Sequence, residues 1–192
     1  MNIFPIFSTP LWNLYYPDYE NDKDNLLRSL SDIIEEYELN KDENILKDIH
    51  SKKEFHHFFS FVCYISNIAC DELNFNKNRN VFITSSSLNV NKCDKHSVDD
   101  LNSHKHTFTG IFYLKTNKEN NSLSFLNDSI NLMWNGLELC QNKNQYITKK
   151  LEVSPEQGQV IFWPSFLKNT IQQDDDTISV SFNILILPES NE

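Results

Sequence analysis

Glycine is scarce in this sequence, whose 192 residues include only Gly110, Gly136 and Gly158. Folds that bind nucleotides through a phosphate loop need several glycines at fixed spacing, and no such motif is present. Cysteine is sparse too, and none of the four cysteines forms the Cys-x-x-Cys pair used in zinc and redox sites. The sequence therefore excludes nucleotide folds built on a glycine loop and zinc sites built on that cysteine spacing.

A net positive charge and long apolar runs are also missing. The formal net charge is −10, whereas a protein that grips the phosphates of nucleic acid needs a basic face. The opening Met-Asn-Ile-Phe-Pro lacks the charged start and apolar run of a signal peptide, and no stretch is long enough to cross a membrane. We expect no nucleic-acid partner, no membrane partner and a cytoplasmic location.

The apolar residues that are present predict one domain, residues 1–192, with helices in its first part. Hydrophobic residues make up 39% of the chain and aromatic residues 12%, which is enough for a core. Residues 4–16 are apolar but interrupted by prolines, which predicts an edge strand. Within residues 1–80, spacings of three and four predict two helices. Their apolar positions are Leu26, Leu27, Leu30, Ile33, Ile34 and Tyr37, then Phe55, Phe58, Phe59, Val62, Ile65, Ile68 and Ala69.

Residues 81–192 change to short runs of β type. Alternation of apolar and polar residues is clearest from Ile178 to Ile184. This pattern predicts an α+β, mainly β domain in which the two helices cover one face of a sandwich or barrel. The acidic run 174–176 predicts the tip of a hairpin. The predicted strands are residues 81–90, 107–115, 122–126, 146–153, 158–163 and 177–187.

Several segments, in order along the chain, resemble one family. Residues 6–12 read Ile-Phe-Ser-Thr-Pro-Leu-Trp, and 109–115 read Thr-Gly-Ile-Phe-Tyr-Leu-Lys. A Leu-Ser-Phe strand follows at 123–125, Val-Ser-Pro-Glu-Gln-Gly-Gln-Val-Ile-Phe-Trp-Pro-Ser-Phe-Leu occupies 153–167, and Ile-Ser-Val-Ser-Phe-Asn occupies 178–183. The set resembles the small microbial and phage 2-oxoglutarate-Fe(II) oxygenases. The resemblance implies a double-stranded β-helix, a jelly-roll or cupin-like barrel of roughly eight strands backed by the two helices, in the cytoplasm of a bacterium or a phage-infected host.

The resemblance also implies cofactors, Fe(II) and 2-oxoglutarate, with two histidines and a third ligand holding the metal. Asn169 stands where the family has its distal histidine. For the first pair, an ungapped match places Leu101 and Ser103 at the ligand positions, while His104 and His106 have the right spacing three residues later. The implied metal set is His104, His106 and Asn169.

For the co-substrate, the resemblance implies binding residues Tyr113, Thr177 and Ser179. The Tyr113 side chain is expected to face into the barrel, where its hydroxyl bonds a carboxylate or a backbone group. Thr177 stands where the family has the arginine that clamps the far carboxylate of 2-oxoglutarate, whereas Ser179 keeps the family's serine.

Two functions follow from these residues. The first is a weakly active oxygenase that hydroxylates a protein side chain or a small molecule, with His104 and His106 holding iron. The second is an inactive barrel, without cofactors, that serves as a binding or structural module in a phage or host assembly. Its partner is a protein or small molecule that the sequence does not name, and self-association into a homo-oligomer is compatible with it. No catalytic residue is assigned.

Overall fold

Two helices precede most of the strands in the computed structural model, which describes residues 9–90, 105–117, 121–126, 150–174 and 176–189. Helix α1 spans Tyr19–Asn40 and ends at Lys41, whose positive φ of 54° lets its backbone N–H bond the Tyr37 carbonyl. Helix α2 spans His56–Glu72 and follows three short 3₁₀ turns. Both helices fall where the apolar spacing predicts them. Neither is long and apolar enough to span a membrane, and the same holds for every helix within the described ranges.

The described strands form two antiparallel sheets. The larger sheet has the order β1-β6-β3-β8-β2 and the smaller sheet β5-β4-β7. The predicted strands are confirmed to within a few residues, with residues 146–149 of the fourth lying outside the described part of the chain. The bounds are β1 Trp12–Tyr15, β2 Arg79–Val90, β3 Phe108–Lys115, β4 Ser122–Leu126, β5 Lys150–Val153, β6 Gln159–Pro164, β7 Asn169–Gln172 and β8 Ile178–Pro188.

One face of the larger sheet, here called the helix face, packs against the two helices. Phe112 stacks on Phe58 of α2 with ring centroids 4.2 Å apart, and Phe182 meets Phe58 edge to face at 6.2 Å. Val180 and Leu114 lie in the same apolar cluster. Because strand side chains repeat every two residues, Phe112 shares this side with Leu114, and Val180 shares it with Phe182.

The opposite face, here called the barrel face, packs against the smaller sheet. Ile161 and Trp163 of β6 meet Leu123 and Phe125 of β4, and the rings of Trp163 and Phe125 cross edge to face at 5.0 Å. Since strand side chains alternate, neighbouring residues of β3, β6 and β8 serve two separate cores. Two facing antiparallel sheets with helices behind one of them are the architecture that the sequence predicts.

Two irregularities set which residues face the barrel. A bulge in β2 places Ile83 opposite Ile184 and Ser85 opposite Asn183, so that Thr84 is the extra residue. The acidic run is not a hairpin tip, because β7 pairs with β4 and β8 pairs with β3 and β2. Residues 173–177 instead connect the smaller sheet to the larger one, which brings Asp174 to the end of the barrel.

We predict that Phe182→Ala lowers the free energy of unfolding by about 3–5 kcal/mol, because the ring is fully buried and its removal leaves a cavity in the helix-side core. Urea denaturation measures the loss. A change below about 1 kcal/mol is what an exposed ring gives, and it would contradict this packing.

Gly110 is predicted to be intolerant of a side chain because of the same ring. A Cβ at Gly110 would lie 2.4 Å from Cζ of Phe182 and 2.8 Å from Cβ of Phe162. We expect Gly110→Ala to destabilise the protein by about 1–3 kcal/mol, as overpacking does. The cost should shrink in a Phe182→Ala background, since the ring is then gone. Additive costs in the double-mutant cycle would contradict the contact.

Candidate ligand site in the barrel

Polar side chains cover much of the barrel face of the larger sheet. Alternation on β8 places Ser179, Ser181 and Asn183 there, opposite Asn89, Ser87 and Ser85 of β2. Thr109 of β3 lies opposite Asn183. All seven side chains are uncharged, and the β8 residues and Thr109 are buried.

Hydrogen bonds join these groups at one end of the barrel face. The Thr109 hydroxyl lies 2.9 Å from the Ser165 hydroxyl and 2.8 Å from Oδ1 of Asn183. Nδ2 of Asn183 donates to the Ser85 hydroxyl at 3.0 Å. Buried polar groups need such partners, and here they find them in one another without any charge.

Tyr113 and Ser179 stand opposite each other at the other end. The Ser179 hydroxyl oxygen accepts from Nε2 of Gln173 at 2.6 Å and from Nδ2 of Asn89 at 3.1 Å. Tyr113 is fully buried, as the expectation that it faces the barrel requires, and its hydroxyl has no hydrogen bond of ordinary geometry among the described residues. Burial raises the pKa of Tyr113, and the nearby Gln173 amide lowers it only in part.

Thr177 is buried and faces a carboxylate. Its hydroxyl donates to Oδ1 of Asp174 at 2.5 Å, and the backbone N–H of Asp174 donates to Oδ1 of Asn121 at 2.8 Å. The Thr177 hydrogen bond is the largest of the effects that hold the pKa of Asp174 below its usual value. Asp174 is therefore ionised at neutral pH, next to the position where the resemblance implies an arginine.

The implied metal ligands are only partly within the described ranges. His104 lies outside them. Nδ1 of His106 is 2.9 Å from the hydroxyl of Thr84, the bulge residue of β2. Burial, with a smaller effect of Lys105, lowers the pKa of His106, so that the neutral imidazole predominates at pH 7.

Asn169 is the first residue of β7 and lies opposite Phe125 of β4. Its side chain is buried, and Nδ2 donates to the Leu167 carbonyl at 3.2 Å. The resemblance implies that this residue is the distal metal ligand, and in the structure one donor of its carboxamide bonds the chain's own backbone.

Comparison with known proteins identifies the family. The model of the family described as "Putative 2OG-Fe(II) oxygenase" matches residues 87–183, which run from β2 through β8. The chain belongs to this family. Members typically use Fe(II) and 2-oxoglutarate. No curated protein sequence matches the chain.

Solved structures with similar folds carry little sequence identity. A 2OG-Fe(II) oxygenase family oxidoreductase from Burkholderia pseudomallei is 10% identical with a TM-score of 0.40; the match covers 75% of this chain and 56% of that one. A Pseudomonas putida prolyl-4-hydroxylase is 7% identical with a TM-score of 0.46, covering 93% and 94%. A viral collagen prolyl hydroxylase from Paramecium bursaria Chlorella virus-1 is 11% identical with a TM-score of 0.49, covering 96% and 97%.

The described residues do not form a fitting iron site. No three histidine, cysteine, aspartate or glutamate side chains within those ranges come close enough together to hold a metal ion. His106 contacts Thr84 through one ring nitrogen, and Asn169 offers a neutral amide, which is a poorer iron ligand than imidazole. Of the co-substrate residues, the structure brings Tyr113 and Ser179 together, and Thr177 lies immediately before β8.

Sequence reasoning missed a second polar cluster, outside the barrel. Oδ2 of Asp22 on α1 accepts from the Tyr16 hydroxyl and lies 3.0 Å from Nδ1 of His57 on α2. Burial alone would raise the pKa of Asp22, but the hydrogen bonds from Tyr16 and His57 outweigh it and lower that pKa. The cluster ties α1 to α2, and a separation of 35 residues hides it from sequence spacing.

We predict that Asp22→Asn destabilises the protein by about 1.5–3 kcal/mol at pH 7, the usual value of a hydrogen bond to a charged group. Because the folded state lowers the pKa of Asp22, the stabilisation is present above the ordinary value of 3.8 and is lost as the pH falls through the lowered value. Denaturation of both proteins between pH 7 and pH 2 measures the difference, with Asp24→Asn at an exposed position of α1 as the control. A difference that persists unchanged in acid would contradict the role of the carboxylate.

Proposed function

We propose that the protein is a binding module built on the barrel of the 2OG-Fe(II) oxygenases, and that it turns over 2-oxoglutarate slowly or not at all. The observation that carries the proposal is the pairing of Thr177 with Asp174 at 2.5 Å. In the family, this position supplies an arginine to the far carboxylate of the co-substrate. Here, the same position presents a hydroxyl that already donates to a carboxylate.

The charges at this position disfavour binding of 2-oxoglutarate. Loss of a hydrogen-bonded ion pair removes roughly 1.5–3 kcal/mol of binding free energy. The ionised Asp174 adds repulsion, because a second carboxylate close to it is disfavoured. The neutral hydrogen-bonded row on the barrel face supplies no compensating positive charge among the described residues. A dicarboxylate is therefore a poor ligand for this end of the barrel.

The metal position supports the same proposal. An amide at Asn169 replaces an imidazole ligand, and Nδ2 of that amide donates to the Leu167 carbonyl. Loss of the charged clamp and loss of the imidazole coincide in one chain, and each alone weakens turnover. The partner that the module binds is a protein or a small molecule. The polar groups of the barrel determine which chemical class of partner fits.

His106 favours a second candidate, a functioning hydroxylase of a protein side chain or small molecule. Burial keeps its imidazole neutral, which is the form that binds iron, and His104 stands two residues before it. In that case, His104 and His106 would hold Fe(II), with Asn169 or a nearby aspartate as third ligand. The bound metal would supply the oxygen chemistry of the family.

Two measurements on the unmodified protein separate the candidates. We expect little or no iron-dependent succinate formation from 2-oxoglutarate. We also expect no visible charge-transfer band when Fe(II) and 2-oxoglutarate are added without oxygen. Robust succinate formation that depends on iron would refute the proposal.

Restoring the family residues provides a gain-of-function test. Asn169→His with Thr177→Arg is expected to raise the affinity for Fe(II) and 2-oxoglutarate if His104 and His106 face the barrel. Because Asp174 would capture the new arginine, adding Asp174→Asn should raise 2-oxoglutarate affinity further, by about tenfold or more for each 1.4 kcal/mol recovered. Asp174→Asn alone is the matched control. Equal affinity in all variants would show that Thr177 and Asp174 do not lie at the co-substrate position.

A further inference from the structure

The Gln173 side chain occupies the end of the barrel beside Tyr113 and Ser179. Gln173 follows β7 and is only half-buried, yet its Nε2 reaches the Ser179 hydroxyl at 2.6 Å. Ser179 stands opposite Tyr113 across β3 and β8. The group that contacts Ser179 and lies near Tyr113 is therefore a carboxamide supplied by the chain itself.

The surrounding groups suit a carboxamide. The Ser179 oxygen accepts N–H donors from two amides, those of Gln173 and Asn89 at 2.6 Å and 3.1 Å. The buried Tyr113 hydroxyl lacks a hydrogen bond of ordinary geometry among the described residues, although the Gln173 amide is close enough to lower its pKa. A buried hydroxyl without an acceptor is costly, and such a group in a native structure indicates a missing partner.

We propose that this end of the barrel is a binding site for primary carboxamides and that Gln173 is its internal occupant. The site comprises Tyr113, Ser179, Asn89 and Asp174. An incoming amide would displace Gln173, donate its N–H groups to Ser179, and accept from the Tyr113 hydroxyl through its carbonyl oxygen. The inference rests on the proposed function in one respect, namely that Thr177 no longer provides a clamp for a carboxylate.

Charge decides between an amide and the carboxylate of the same shape. A carboxylate has no N–H to offer Ser179, and it would be repelled by the ionised Asp174, the residue that follows Gln173 in the chain. A neutral amide avoids that repulsion and provides both a donor and an acceptor. The ligand class is thus a small molecule or peptide side chain that ends in –CONH₂.

Displacement of Gln173 is mechanically simple. The residue lies in the connection between β7 and β8, outside both strands, so its side chain can swing away without breaking a ladder hydrogen bond. Its partial exposure gives the site a route to solvent. Gln173 thus competes with any amide that enters.

Chemical rescue of Gln173→Ala tests the site. We expect the variant to unfold about 2–4 °C below wild type, the shift that one lost hydrogen bond gives in a protein of this size. Acetamide, which replaces the deleted group, should recover most of this loss, whereas sodium acetate should not. Wild-type protein in the same solutions corrects for general solvent effects. No recovery by acetamide, or equal recovery by acetate, would overturn the proposal.

Two further variants make the test specific. Adding Tyr113→Phe to Gln173→Ala should reduce the recovery that acetamide gives, because the donor to its carbonyl oxygen is gone. Gln173→Glu keeps the shape and tests the charge without opening a cavity. It should be less stable than wild type at neutral pH and approach wild type in acid, where the new carboxyl is protonated. A Gln173→Glu protein as stable as wild type at pH 7 would contradict the preference for an amide. Succinate formation is measured separately, so the proposed function fails or stands independently of the rescue.

Discussion

The structure depends on a sheet that is buried on both faces. Every residue of β6, and every residue of β3 except Lys115, is shielded from solvent. Helix-face residues such as Phe112 join an aromatic cluster, while their direct neighbours line the barrel. Polar groups that are buried on the barrel face therefore need hydrogen-bond partners inside the protein.

This need for internal partners accounts for the hydrogen bonds among the polar side chains of the barrel face. A family site with a charged clamp can lose its arginine only if the remaining polar groups satisfy one another. Thr109, Ser165, Asn183 and Ser85 do so through short neutral hydrogen bonds. At the other end, Gln173 and Asn89 both donate to Ser179, and Asp174 takes the Thr177 hydroxyl. The hydrogen-bonded side chains of this face are thus uncharged, apart from Asp174 at the end of the barrel.

The sequence predicted what depends on local periodicity. Spacings of three and four predicted α1 and α2, and alternation predicted β8 with Phe182 buried. Pairing between distant strands left no such local signal. The acidic run with Asp174 therefore predicts a hairpin tip, although it connects two sheets, and Gln173, one polar residue in a polar loop, carries no local signal of its contacts. The resemblance identified Tyr113, Thr177 and Ser179, but the groups that face them come from elsewhere in the chain.

The bulge at Thr84 fixes which half of β2 belongs to which core. Val81 and Ile83 lie against the helix-side cluster, whereas Ser85, Ser87 and Asn89, also odd-numbered, lie opposite the barrel-face residues of β8. One extra residue permits this change of side. If Thr84 were instead paired in a regular ladder, three polar side chains would turn into an apolar core and Leu88 would turn toward the barrel. Thr84 is itself exposed and has no partner in the β8 ladder, so its deletion would leave Ile83 opposite Ile184 and Ser85 opposite Asn183. Homologous strands that lack this residue would present the same interior from a chain one residue shorter.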